Sequence, residues 1–77
     1  MSRMEDRIRA KIENHIRIYG QMPSVFPIAL GECFTNVRFK PAASARIGSV
    51  VQEYAAAGWN INWKDLCLGD MIHIEIS

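Results

Sequence analysis

Isoleucine stands at every second position near the end of the chain, at Ile72, Ile74 and Ile76, with His73 and Glu75 between them. Successive side chains of a β-strand point to opposite faces, so this pattern predicts a strand with one buried and one solvated face. Such strands are typical of antiparallel sheets in which only one face is covered. The rest of the sequence must therefore supply further strands and amphipathic helices.

Two earlier segments alternate in the same way. In residues 59–64, one face is formed by Trp59, Ile61 and Trp63 and the other by Asn60, Asn62 and Lys64. In residues 35–40, the face predicted to be buried is formed by Thr35, Val37 and Phe39. The face predicted to be solvent-exposed is formed by Asn36, Arg38 and Lys40. Both segments are predicted to be half-buried strands. Residues 65–70 are rich in turn-forming residues and are predicted to join the last two strands as a wide hairpin loop.

The stretch from Gln21 to Cys33 is less regular. Pro23 and Pro27 argue against a helix interior and against a central strand, because proline lacks the amide hydrogen that both require. Its middle is nevertheless too apolar for a free loop. We predict an extended segment packed on the core, with an edge strand over residues 26–30 and a turn after it.

Two segments have the periodicity of amphipathic helices. The first is predicted over residues 3–19, with an apolar side formed by Met4, Ile8, Ile12, Ile16 and Tyr19. The second is predicted over residues 42–57, with a stripe formed by Ala43, Ile47, Val50, Val51, Tyr54 and Ala57. Gly20 and Gly58 follow these segments, where a left-handed residue commonly ends a helix. Pro41 suits the start of the second helix.

These elements predict an α+β fold. We expect a two-layer sandwich with two helices on one face of a three- or four-stranded, mainly antiparallel sheet. The predicted order is α-(β)-β-α-β-β, where the bracketed strand is residues 26–30. The expected core consists of Ile8, Ile12, Ile16, Val37, Phe39, Ile47, Val51, Tyr54, Trp59, Ile61, Trp63, Ile72, Ile74 and Ile76.

Size and composition restrict the class of protein. A chain of 77 residues has room for one hydrophobic core, so we expect a single domain over residues 1–77. Hydrophobic residues make up 49% of the chain, which is too apolar for a disordered regulator. Cys33 and Cys67 are too few for the disulfide framework of a small secreted domain. With no signal-peptide pattern and no apolar run of about 20 residues, a cytoplasmic protein is expected.

Few side chains suggest catalysis or metal binding. The candidates are Cys33, Cys67, His15, His73, Asp65 and Asp70. No two of the cysteines and histidines lie within five residues of each other, whereas zinc ligands usually occur in closely spaced pairs. Turn chemistry accounts for both aspartates. We therefore expect no metal, no cofactor and no enzymatic activity; a small enzyme using Cys67 or Asp70 in a homo-oligomeric site is the least favoured hypothesis.

The solvent-exposed face of the predicted sheet is one candidate binding surface. It is predicted to display Arg38, Lys40, Asn60, Asn62, Lys64 and His73. Asparagine is depleted in strands, so two asparagines in one short strand are consistent with a polar binding face, although an ordinary solvated sheet face is the favoured interpretation. Nucleic-acid binding is the alternative function for this face. The formal net charge of +1 and the absence of aromatic residues on that face argue against it.

A second candidate surface is an interface formed by His15, Tyr19 and Ile76. His15 and Tyr19 lie along the apolar side of the first helix, at its boundary. Ile76 belongs to the last strand, which exposes unpaired backbone groups if it lies at the sheet edge. Association through either element would produce a homodimer or a complex with another protein.

These observations favour a non-enzymatic protein-binding module: an adaptor, a regulator or an inhibitor that acts by occluding a surface. This hypothesis is based on a well-formed predicted core combined with the lack of a catalytic motif. Proteins of this size are also frequent among phage and mobile-element products that inhibit host complexes, such as anti-CRISPR proteins. An inhibitor of that class is therefore one form of the hypothesis. A weak nucleic-acid-binding protein is the alternative.

Overall fold

The computed structural model describes residues 3–31, 37–66 and 70–77. In chain order, the elements are α1 (Met4–Tyr19), β1 (Ser24–Ala29), α2 (Lys40–Ala56), β2 (Ile61–Asp65) and β3 (Met71–Ile76). The two helices and the three-stranded antiparallel sheet confirm the α+β class. The observed element order is α-β-α-β-β. The described sheet therefore has three strands, the smaller of the two numbers predicted.

Helix α1 matches its predicted bounds closely. Its inward side chains Met4, Ile8 and Ile12 are buried, as their spacing predicts. The helix ends at Gly20, whose positive φ of 64° is readily adopted by glycine. The Gly20 N–H donates to the Ile16 carbonyl at 2.6 Å, which closes the last turn.

Helix α2 starts earlier than predicted, and the strand expected over residues 35–40 is wrong over its described part. Residues 37–39 form a turn, and Lys40 is already helical. Val37 and Phe39, expected in the core, are 83% and 59% exposed. Pro41 does not prevent this earlier start, since the first-turn N–H groups of a helix have no intrahelical partner. Residues 35 and 36 lie outside the described residues.

The end of α2 agrees with the sequence prediction. Gly58 has a φ of 98°, and the following residue turns back to the helix. The Trp59 N–H donates to the Tyr54 carbonyl at 3.0 Å, and the Trp59 ring packs against the core. This capping arrangement directs the chain from α2 into β2.

The sheet has the strand order β1-β3-β2, and both pairings are antiparallel. Phe26 of β1 and Trp63 of β2 both face Ile74 of β3 across the inner side of the sheet. The expectation of an exposed edge at the last strand is therefore wrong, because β3 is central. The predicted edge strand in the proline-containing segment is confirmed as β1, although it begins earlier, at Ser24.

Within the described residues, one hydrophobic core joins both helices to the sheet. It consists of Met4, Ile8, Ile12, Ile28, Leu30, Ala43, Ile47, Val50, Val51, Ile72, Ile74 and Ile76. Six further side chains pack against it but are only partly buried: Ile16, Phe26, Tyr54, Trp59, Ile61 and Trp63. Most of the predicted core is thus confirmed, and the tryptophans lie at its margin rather than at its centre.

Candidate functional site

The predicted polar surface is only partly assembled. Asn62 and Lys64 project from the outer face of β2, and His73 lies opposite Lys64 on β3. Asn60 directly precedes β2, where its carbonyl accepts a hydrogen bond from the Ser77 N–H at 2.9 Å. These residues share the outer side or the end of the same strand pair.

Arg38 and Lys40 do not belong to that surface, which corrects the sequence prediction. Arg38 lies in the turn before α2, and Lys40 is the first residue of the helix. The Lys40 ammonium pairs with Asp65 at 2.8 Å, on the side of the sheet that faces the helices. A single basic face that unites Arg38 and Lys40 with Lys64 is therefore not formed.

The outer edge of β2, on the side away from β3, explains one of the two asparagines. Backbone groups of an antiparallel strand point alternately toward and away from the neighbouring strand. The bond between Ser77 and Asn60 shows that the backbone groups of Asn62 point toward β3, so the Trp63 N–H points to the outer edge. There it donates to Oδ1 of Asn62 at 2.9 Å. Asn62 thus covers a backbone donor of its own strand.

Within the described residues, the outer edge of β1 carries both donors and acceptors. The Leu30 N–H donates to the Asp70 carbonyl at 2.8 Å, so the backbone groups of even-numbered residues in β1 face β3. Those of Val25, Pro27 and Ala29 point away from the sheet. Pro27 has no N–H, so the edge donors are those of Val25 and Ala29. The edge also has three carbonyl acceptors.

His15 connects α1 to the start of β1. Its ring stacks on Phe26 with centroids 3.9 Å apart, and its Nε2 lies 2.6 Å from the Ser24 hydroxyl oxygen. The Tyr19 ring lies 4.6 Å from the His15 ring. His15 is half-buried and Tyr19 is 51% exposed, so Tyr19 offers the larger accessible surface.

Ile76, the third predicted interface residue, is only 2% exposed. It lies on the inner face of the central strand, paired with Ser24 on one side and with Ile61 on the other. Its side chain is a core residue, which corrects its assignment to the interface.

Four exposed apolar side chains lie in the turn between α1 and β1 or at the adjoining ends of these elements. They are Ile18, Tyr19, Met22 and Val25, which are 61%, 51%, 62% and 58% exposed. We call this set the turn cluster. Sequence periodicity identified only Tyr19, because Ile18 lies in α1 outside its apolar stripe, and Met22 and Val25 lie in the turn and the strand that follow the helix.

A groove of about 410 Å³ lies between α1 and β1. It is lined by Arg7, Ile8, Ala10, Lys11, Asn14, Ile28, Ala29 and Leu30. Helix and strand run in opposite directions along it: His15 contacts Ser24, and Arg7 donates to the Leu30 carbonyl at 2.9 Å. The spacing of Arg7, Lys11 and Asn14 places them on one side of α1.

Hydrogen-bond donors predominate on the helix side of the groove. Lys11 makes no hydrogen bond or ion pair within the described residues, and none of the described lining side chains is a carboxylate. Oδ1 of Asn14 accepts from Arg17 at 2.7 Å, which leaves the Asn14 amide nitrogen for other contacts. The groove therefore suits a ligand with negative charge and hydrogen-bond acceptors.

The groups with shifted pKa values lie on the other side of α1, where it contacts α2. Two hydrogen bonds from Arg9, at 2.6 and 2.9 Å, lower the pKa of Glu53 below its ordinary value. Burial, together with a 2.7 Å bond to Glu13, raises the pKa of Tyr54. These contacts join the helices and are separate from the groove.

Both candidate aspartates have other contacts, and both cysteines lie outside the described ranges. Asp70 accepts a bond from the Gly31 N–H at 2.8 Å, and Asp65 pairs with Lys40. Cys33 and Cys67 lie outside the described residues. Within the ranges that the structure describes, no three side chains of the His, Cys, Asp and Glu types are grouped to hold a metal ion. Neither helix in those ranges combines the length and apolar character needed to cross a membrane.

Comparison with known proteins adds no relative to these observations: no protein-family model, curated protein or solved structure matches this chain.

Proposed function

We propose that this chain is a non-enzymatic protein-binding module that acts by placing the surface formed by α1 and β1 against a partner protein. The observation that carries the proposal is the turn cluster. Its four large apolar side chains are each more than half exposed and lie within residues 18–25. Single exposed apolar residues are ordinary, whereas grouped ones are typical of association sites.

Burial of this cluster would stabilise a complex. Removing apolar surface from water contributes about 25 cal/mol per Å², so a few large side chains supply several kcal/mol before the costs of association are subtracted. The contacts of His15 with Ser24 and Phe26 hold the two elements together. Because the surface is already ordered, binding would lose less conformational entropy.

An adaptor, a regulator and an inhibitor would all use such a surface. Occlusion of a host complex by a phage or mobile-element product, as with anti-CRISPR proteins, is the inhibitory form of the proposal. A reducing cytoplasm is its setting, since two cysteines do not form the framework of a small secreted domain. The nucleic-acid alternative receives little support, because Arg38 and Lys40 do not join Lys64 on one face.

The test is capture of the partner from the native host, followed by affinity measurements with the purified partner. Met22→Glu places a charge in the turn cluster and is expected to weaken binding at least about tenfold, through the cost of burying a charge without a counter-ion. Val37→Glu is the matched control, since Val37 is 83% exposed and lies in the turn before α2. Equal affinities of the two variants would contradict the proposed surface.

A further inference from the structure

We propose that the groove between α1 and β1 binds an extended, acidic segment of a partner protein, which adds to the sheet as a fourth strand beside β1. This inference rests on the proposed function and specifies the partner chemistry. It concerns the groove and the strand edge, whereas the proposed function depends on the neighbouring turn cluster.

The backbone of β1 provides the first part of the argument. An edge strand with free N–H and C=O groups is a template for an incoming strand. Val25 and Ala29 direct both groups to this edge, and Pro27 directs its carbonyl there. On the outer edge of β2, the Trp63 N–H already donates a hydrogen bond to Asn62 Oδ1. The outer edge of β1 therefore offers two donors and three acceptors to an incoming strand.

The charge of the groove provides the second part. Side chains of an added strand alternate between the two faces of the sheet, so every second one would lie against α1. There they would meet Arg7, Lys11 and the Asn14 amide, with no carboxylate among the described lining residues. Lys11 has no partner within the described residues. Carboxylates at alternate positions of the ligand would satisfy these donors.

A second copy of β1 fits this edge less well. In any two-fold antiparallel pairing, the outward-directed residues of one copy pair with those of the other. Each copy of Pro27 would then leave one backbone hydrogen bond unmade, which makes two in the dimer. Pairing with a strand of another protein leaves only one unmade. The two-fold axis would also bring the Arg7 and Lys11 side of one helix toward the same side of its mate. An acidic strand from another protein avoids both costs.

The experiment uses the full chain and a synthetic peptide of about eight alternating glutamate and threonine residues, long enough at about 3.3 Å per residue to span β1. Binding is followed by NMR titration and by amide hydrogen exchange. We expect saturable shifts along β1, together with slowed exchange of the Val25 and Ala29 amides. The absence of binding at millimolar peptide would overturn the inference.

Two control peptides separate charge from backbone pairing. A lysine–threonine peptide keeps strand propensity but reverses the charge, and it is expected not to bind. A glutamate peptide that is N-methylated at the amides facing β1 keeps the charge but cannot donate to the edge. It is expected to bind at least about tenfold more weakly. Equal binding of the methylated peptide would show simple charge attraction and would overturn strand addition.

Variants of the chain complete the design. Lys11→Glu is expected to weaken binding of the glutamate peptide about tenfold, whereas Lys64→Glu, the same change on the outer face of β2, leaves it unchanged. Equal losses would place the peptide elsewhere. If the peptide fails while the captured partner still binds and is sensitive to Met22→Glu, the inference is wrong and the proposed function stands. Loss of sensitivity to Met22→Glu alone would instead refute the proposed function.

Discussion

Val37 and Val50 carry the same side chain in opposite surroundings. Val37 is 83% exposed in the turn before α2, and Val50 is 0% exposed on the inner side of that helix. Alternation with polar neighbours predicted that Val37 is a buried strand residue. Its exposure, however, depends on whether other elements pack against its side chain. Two valines of one chain therefore allow a direct test of where the core lies.

We expect Val50→Ala to lower the free energy of unfolding by about 2 kcal/mol. The change removes two buried carbon groups, at about 0.8 kcal/mol each, and leaves a small cavity. Val37→Ala should change it by no more than about 0.5 kcal/mol, because the removed groups are already in water. Urea unfolding of both variants measures the difference. Comparable losses would restore the predicted strand over residues 35–40.

At the scale of elements, two polar contacts join the helices. Arg9 donates to both carboxylate oxygens of Glu53, at 2.9 and 2.6 Å, and also pairs with Asp6 at 2.9 Å. One helical turn further on, the Tyr54 hydroxyl donates to Glu13 at 2.7 Å. The bidentate geometry fixes the alignment of α1 and α2, although exposed ion pairs add only modestly to stability.

This contact predicts a pH-dependent coupling between Arg9 and Glu53. Hydrogen bonding to Arg9 lowers the pKa of Glu53 in the folded state. Its contribution to stability is therefore complete above the ordinary carboxyl pKa and is lost as the pH falls through the lowered value. A double-mutant cycle of Arg9→Gln and Glu53→Gln should show favourable coupling at pH 7 that disappears by about pH 2.

The matched control for that cycle pairs Arg9→Gln with Glu75→Gln. Glu75 is exposed on the outer face of β3, on the other side of the sheet, so the two changes should be additive at both pH values. About 1 M salt should also weaken the coupling between Arg9 and Glu53. Coupling that persists at low pH would show that ionisation of Glu53 is not its source.

Periodicity along the sequence identified most of the elements, for a physical reason. The spacing of Ile8 and Ile12, and that of Ile72 and Ile74, directly reflects burial on one side of a helix or a strand. The same reasoning failed for residues 35–40, because alternation is necessary for a half-buried strand but does not guarantee a neighbouring strand. In the described part of that segment, the chain turns and enters α2 instead.

The candidate site was harder to predict than the elements. Correct placement of Asn62, Lys64 and His73 followed from local alternation alone. The groove depends on contact between α1 and β1, which local periodicity does not contain. Pro27 pointed to an edge strand because its missing N–H excludes the sheet centre, but no local signal showed which helix would lie beside that edge.

At the scale of the whole molecule, strand order decides which segments depend on each other. The central strand β3 comes last in the sequence, and its pairing joins Ser24 to Ile76. Neither β1 nor β2 has another described strand as a neighbour. The sheet therefore cannot form until β3 is in place, and its pairing with β1 closes a long loop of chain at an entropic cost.

We therefore expect a chain that ends at residue 69 to lose its cooperative fold. It lacks Ile72, Ile74 and Ile76, which are at most 2% exposed and contribute about 1.5–3 kcal/mol each when buried. That loss is comparable to the total stability of a typical domain, about 5–15 kcal/mol. Circular dichroism should show no cooperative thermal transition for residues 1–69.

A peptide of residues 70–77 added in excess should restore the transition, because it supplies the strand with which both β1 and β2 pair. The same peptide carrying Ile74→Ser is the control and should fail, since a polar group would be buried between Phe26 and Trp63. A truncated chain that unfolds cooperatively at the original midpoint would show that β3 is not central.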